Sequence, residues 1–128
     1  MKKLLPILLS ALMFTGCAGT SNNQANTYRR ITMDEAVTMM AQETSYIILD
    51  VRRPDEFAAG HIPNAINVPN ETIGTDEISE LPDKDQLIMV YCRSGRRSKE
   101  ASAKLVKLGY TNIVEFGGIL DWKGEIET

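Results

Sequence analysis

A chain of 128 residues, 43% hydrophobic and 24% charged, suffices for one modest domain with a single core and excludes a second domain of ordinary size. The formal net charge is −3, and the tightest basic cluster falls between residues 93 and 99, which excludes the wide positive face that nucleic acid requires. No group of residues has metal-ligand spacing and no glycine pattern follows a strand as a nucleotide loop would, so neither a metal nor a nucleotide cofactor is expected.

In chain order, residues 1–16 read as an export signal: Lys2 and Lys3 precede the apolar run Leu4 to Phe14, and Thr15-Gly16 supplies small residues before Cys17. Eleven apolar-region residues fall well short of the roughly 20 that a membrane-spanning helix needs. The setting of Cys17 resembles a bacterial lipobox, although Phe14 stands where leucine is usual. That resemblance implies lipidation of Cys17 and a mature protein exported and anchored to a bacterial membrane, facing the periplasm or the exterior. The alternative is an ordinary cleaved signal that releases a soluble protein. Once residues 1–16 are gone, twelve basic residues face seventeen acidic ones, a net charge near −5. Residues 17–27 are small and polar without periodicity, which predicts a flexible tether between the lipid and a domain over 28–128. Lipidation would consume the sulfur of Cys17 and leave Cys92 as an exported thiol without an internal partner, an arrangement that needs a chemical reason.

Within the domain, Thr32-Met33-Asp34-Glu35 is a capping box that predicts a helix to about Gln42. Tyr46 to Asp50 is an apolar run ending in an acid and predicts a central strand. Pro54 suits a first helical position and Gly60 a left-handed stop, with a short strand to follow over Ala65 to Val68. Glu71 to Leu81 carries a weak helical pattern interrupted by Gly74, and Pro82 to Asp85 predicts a turn. A buried strand is predicted over Leu87 to Tyr91, and a helix over Ser98 to Leu108 with Ala101, Leu105 and Leu108 on one face. Gly109 ends that helix, Asn112 to Phe116 returns as a strand, and Gly117-Gly118 predicts a tight turn. Alternating strands and helices imply an α/β fold with a central parallel sheet and helices on both faces. Ligands bind such sheets at the carboxyl ends of the strands, where Asp50 and Cys92 both fall.

Cys92-Arg93-Ser94-Gly95-Arg96-Arg97-Ser98 is the stretch richest in chemistry. A loop between a strand and a helix curls over the helix N-terminus, whose free N–H groups and positive dipole end bind anions. Arg93, Arg96, Arg97 and Lys99 add positive charge against Glu100, which favours a Cys92 thiolate and draws anionic substrate inward. Gly95 permits dihedrals that bring successive N–H groups toward one point. The chemistry implied is nucleophilic sulfur acting on an anion.

This loop resembles the active-site loop of single-domain rhodaneses, sulfurtransferases that carry sulfur as a cysteine persulfide. Ile48 to Pro69, with Asp50-Val51-Arg52 and Gly60-His61-Ile62-Pro63, is similar to that family's N-terminal signature, and Gly117 to Trp122 to its C-terminal one. The resemblance covers about residues 29 to 124. It implies a rhodanese-like fold and a thiosulfate-type sulfurtransferase in which Cys92 is catalytic. Arg93, Ser94, Gly95, Arg96, Arg97 and Ser98 are then substrate-binding, and Asp50 and Arg52 are a supporting ion pair. His61 would fix the chain after the short helix, and Trp122 would cover the core. No cofactor is implied. Partners are a small anionic sulfur donor, a thiol or cyanide acceptor and, through Cys17, a membrane; the expected state is a monomer. A sulfur carrier without turnover or a thiol redox sensor shares these features. A phosphatase or arsenate reductase fits less well, because four residues separate Cys92 from Arg97 where those loops have five.

Overall fold

The computed structural model describes residues 27–128; the expected export signal, Cys17 and the expected tether up to Asn26 lie outside the described residues. Among the described residues, no helix is long and apolar enough to cross a membrane.

Five strands form one parallel sheet: β1 (Arg29–Arg30), β2 (Ile47–Asp50), β3 (Ile66–Asn67), β4 (Ile88–Cys92) and β5 (Ile113–Gly118), in the spatial order β1-β5-β4-β2-β3. Three helices cover it: α1 (Met33–Gln42), α2 (Pro54–Ala59) and α3 (Arg96–Lys107). The Thr32 capping box is formed, with Glu35 N–H on the threonine hydroxyl at 3.1 Å and Thr32 N–H on the Glu35 carboxylate at 2.8 Å. Pro54 opens α2, where its missing N–H costs nothing.

Strand β4 lies at the centre, and all five of its residues are buried. Strand alternation sends Ile88, Val90 and Cys92 into the core beneath α3, with Ala101, Leu105 and Tyr110. Met89 and Tyr91 go to the opposite core, with Ala36 of α1, Ile62 and Phe116. Each fully buried aliphatic or aromatic side chain contributes about 1.5–3 kcal/mol, so the two-sided burial of β4 fixes its register and the place of Cys92 at its end.

Some elements differ from expectation. Residues 71–81 are not helical beyond the 3-10 turn Asn70–Thr72. Gly74-Thr75-Asp76 favours turns, and Ile73, Ile78 and Leu81 are buried on the α3 side of the core without a helix between them. Helix α3 begins two residues early, at Arg96, because Gly95 takes a left-handed conformation (φ 118°) that serves as its N-cap. Arg96 and Arg97 therefore belong to a helical first turn. Gly60 does stop α2, but in a nearly extended conformation (φ 157°, ψ 133°) and not a left-handed helical one. Gly117-Gly118 completes β5 and is not a separate turn.

Candidate active site

Asp50 and Cys92 stand at the carboxyl ends of neighbouring strands, as the parallel topology requires. Their surroundings differ. Asp50 is fully buried, and its carboxylate accepts the Arg52 N–H at 2.9 Å, Arg52 Nε at 3.0 Å, Arg52 Nη2 at 2.7 Å and the Tyr91 hydroxyl at 2.7 Å. Arg52 also donates to the Gly60 carbonyl at 2.7 Å, which ties the end of α2 to β2. Burial disfavours the Arg52 charge, but the hydrogen bonds and charge of Asp50 outweigh it and hold the guanidinium above its ordinary pKa. Burial, and then the bond to Asp50, push the Tyr91 phenol well up. The Asp50–Arg52 pair is a brace in which the carboxylate has its bonding capacity filled. Asn67 extends it by donating to the Asp50 and Arg52 carbonyls, both at 2.9 Å.

His61 is structural in its surroundings: Nδ1–H donates to the Phe57 carbonyl at 2.9 Å and the ring stacks on Phe57 with centroids 3.7 Å apart. Trp122 is half-buried against the α1 side of the core.

Cys92 is 1% exposed, more deeply placed than a residue at a sheet rim would suggest. Its Sγ accepts the Gly95 N–H at 3.0 Å and lies 3.4 Å from Ser98 Oγ. The loop sits directly on β5. A bulge opposite Val90 to Cys92 brings Cys92 beside Gly118, and a Cβ on Gly118 would meet the Arg93 carbonyl oxygen at 2.0 Å. Gly118 is therefore required for this close approach. The Leu120 N–H, donating to the same carbonyl at 3.2 Å, fastens it.

The predicted binding residues separate into three groups. Arg93, Ser94 and Arg96 are exposed and, with Arg53, Glu71 and Arg97, line a depression of about 480 Å³ over the loop. Arg97 is turned aside: Nη1 and Nη2 bond the two Glu56 carboxylate oxygens at 2.7 and 3.1 Å, joining α3 to α2. That hydrogen bond holds the Glu56 carboxyl down at about 2. Gly95 and Ser98 lie on the inner side of the loop, both buried. Arg96 pairs with Glu100 at 3.0 Å on the exposed face of α3.

Three contributors were not singled out from sequence. Glu56 and Arg97 are 41 residues apart and meet only when α2 and α3 pack. Arg53 joins the basic rim from the loop after β2. Glu115 is buried at 2% exposure next to Ser98, and an acid inside the apolar run Ile113-Val114-Glu115-Phe116 was the available signal.

A wholly parallel sheet whose central strand ends in a buried cysteine, under a short loop that opens a helix and carries an arginine rim, defines an α/β domain organised around one thiol. The chain belongs to the rhodanese-like domain family, whose model matches residues 32–125. It is 39% identical over 84 residues to a sulfurtransferase of Allochromatium vinosum, covering 65% of this chain and 77% of that one. Against the thiosulfate sulfurtransferase PspE of Escherichia coli it is 36% identical over 73 residues, 57% of this chain and 70% of that one. Among solved structures, a rhodanese with anions from E. coli aligns at a TM-score of 0.60 and 31% identity, over 66% of this chain and 99% of that chain. A rhodanese-related protein of Thermoplasma volcanium aligns at 0.65 and 30% identity, over 78% and 98%. These likenesses support sulfur transfer or sulfur carriage as the activity at the level of the family.

Proposed function

We propose that this protein is a thiosulfate-type sulfurtransferase that holds its sulfur as a Cys92 persulfide. The Cys92 thiolate attacks the outer sulfur of thiosulfate or a similar small anion, an S–S bond forms, and the bond to the leaving group breaks with its electron pair on sulfite. The persulfide then gives its outer sulfur to a thiol or to cyanide. The observation that carries this reading is the Gly95 N–H at 3.0 Å from Cys92 Sγ beneath a rim holding Arg53, Arg93, Arg96 and Arg97. The N–H stabilises charge on sulfur, and the exposed guanidiniums attract and orient the donor. The bidentate bond of Arg97 to Glu56 argues against a phosphatase or arsenate reductase, in which the loop arginine would have to face the oxyanion.

The lipobox-like setting of Cys17 favours an exported, membrane-tethered protein acting on envelope substrates. Growth with labelled fatty acid should label the wild type and not Cys17→Ser; a soluble, unlabelled wild type would mean that Phe14 prevents lipidation.

The test of the reaction is intact mass after thiosulfate, then after cyanide, with thiocyanate measured. One added sulfur that cyanide removes is expected. A reduced, unmodified Cys92 after thiosulfate would overturn the assignment. Persulfide formation with no more than one thiocyanate released per Cys92 would instead favour a sulfur carrier, a role that the name of a Bacillus subtilis relative, putative sulfur carrier protein YrkF (29% identical over 108 residues), also suggests.

A further inference from the structure

Behind Cys92 lies a chain of polar groups that the reaction above does not use. Glu115 pairs in register with Val90 and so faces the α3 side of the sheet, as Cys92 does. It is 2% exposed, with buried Ile113, Val114 and Phe116 around it. Its Oε2 accepts from Ser98 Oγ at 2.5 Å and from the Gly117 N–H at 2.9 Å. Ser98, fully buried, places the same Oγ 3.4 Å from Cys92 Sγ. The one Ser98 hydroxyl proton has three acceptors in reach, the Glu115 carboxylate at 2.5 Å, the Gly95 carbonyl at 3.1 Å and the Gly117 carbonyl at 3.4 Å; given to the nearest of them, Glu115, it leaves a lone pair of Ser98 Oγ for the sulfur. The thiol hydrogen thus has an acceptor, and that acceptor has one of its own.

A buried carboxylate is costly, and an apolar residue at this register would pack as its neighbours do. The other Glu115 oxygen lies 3.9 Å from Nε of exposed Arg30, at a hollow of about 370 Å³ lined by Arg30, Glu35, Lys99, Glu115 and Gly117 among others. This hollow reaches the carboxylate from the β1 side, whereas the arginine rim opens over the loop toward Arg53 and Glu71.

We propose that Ser98 and Glu115 form a proton relay that deprotonates Cys92. The S–H bond breaks with its electron pair left on sulfur, and the proton passes to Ser98 Oγ while the Ser98 proton passes to Glu115 Oε2. A thiol and a carboxylate become a thiolate and a carboxylic acid, and the site keeps one negative charge throughout. The Ser98 hydroxyl now donates to the thiolate, and once the sulfur has attacked its electrophile the Glu115 proton leaves through the hollow beside Arg30, which restores the carboxylate. Ser98 touches the reacting sulfur; Glu115 acts through Ser98. The use of this thiolate in sulfur transfer rests on the function proposed above, but the relay itself serves any electrophile.

The test uses full-length protein at neutral pH and two readouts: alkylation of Cys92 by iodoacetamide, mapped by peptide mass, and first-turnover persulfide formation with thiosulfate, with thermal melting as a check on folding. Glu115→Gln and Ser98→Ala should each slow alkylation by roughly tenfold or more. The double variant should be no slower than the slower single one, and Glu115→Asp and Ser98→Thr should recover part of the rate. A carboxylate acting through charge alone would repel the thiolate, so its removal would speed alkylation. Faster or unchanged alkylation in Glu115→Gln, or additive losses in the double variant, would overturn the relay. Should Glu115→Gln fail to fold, Ser98→Ala against Ser98→Thr decides by the same sign. Alkylation rates in the expected order with no wild-type persulfide would uphold the relay and sink the sulfurtransferase reading.

Discussion

The rims of β2 and β4 end in neighbouring charged sites built on opposite plans. At β2, the Asp50 carboxylate is filled by Arg52 and Tyr91. At β4, Cys92 Sγ has the Gly95 N–H and the Ser98 hydroxyl, while Arg93 and Arg96 of its loop point into solvent. A buried charge with every lone pair occupied has nothing left to offer a substrate and serves as scaffold. A thiol with few partners beneath an open rim keeps capacity for a reaction. Removing a group from the first site should therefore cost stability, and from the second activity.

The sharpest break of that contrast is Cys92→Ser, expected to abolish cyanide-labile sulfur while leaving the melting temperature within a few degrees of wild type. Loss of folding instead would make Cys92 a scaffold residue like Asp50. Next, Asp50→Ala should leave Arg52 buried and unpaired and cost about 3–5 kcal/mol in urea unfolding, whereas Tyr91→Phe, which removes the bond to Asp50 and the one accepted from the Ile62 N–H, should cost about 2–3 kcal/mol. A fully stable Asp50→Ala with lost turnover would invert the assignment.

The Arg97–Glu56 link lies between the two plans, since it is structural in geometry and sits on the rim. Because Glu56 is held at about 2 against an ordinary 4.5, its stabilising contribution is complete above pH 4.5 and is lost as the pH falls toward 2. After solvent screening it should amount to about 1 kcal/mol. Glu56→Gln should flatten the wild-type loss of stability over that interval, and an unchanged acid profile would show that the pair contributes nothing. Smallest, Arg93→Ala and Arg96→Ala should each raise KM for thiosulfate roughly threefold to tenfold with no change in melting temperature, and the effect should shrink at high salt.

Much of this layout was legible because it is local. The Thr32 box, Pro54, the apolar run before Cys92 and the spacing of Asp50 and Arg52 each specify structure within a few residues, and that sufficed for the alternation of strands and helices along the chain and for the cysteine at the carboxyl end of its strand. The partners of Arg97 and Ser98 were hidden because Glu56 and Glu115 arrive from elements 41 and 17 residues away. A basic loop reads as a set of free cations until the fold brings acids to it. Helix α3 starts two residues before its apolar pattern, because Gly95 caps it and Arg96 and Arg97 form its polar first turn. Residues 73–81 form no helix although Ile73, Ile78 and Leu81 have a helical spacing, because Gly74-Thr75-Asp76 favours turns and each apolar side chain packs into the α3-side core by itself.

The contact of Gly118 with the loop has a consequence for how such a site could diversify. Backbone lies on backbone there, so the height of the sulfur above the sheet is set without any side chain of Arg93, Ser94 or Arg96. Those positions form a replaceable collar. A library that varies them while holding Gly95, Ser98 and Gly118 fixed would change which molecules are admitted and leave the sulfur where it is, so new preferences could be selected without first rebuilding a nucleophile.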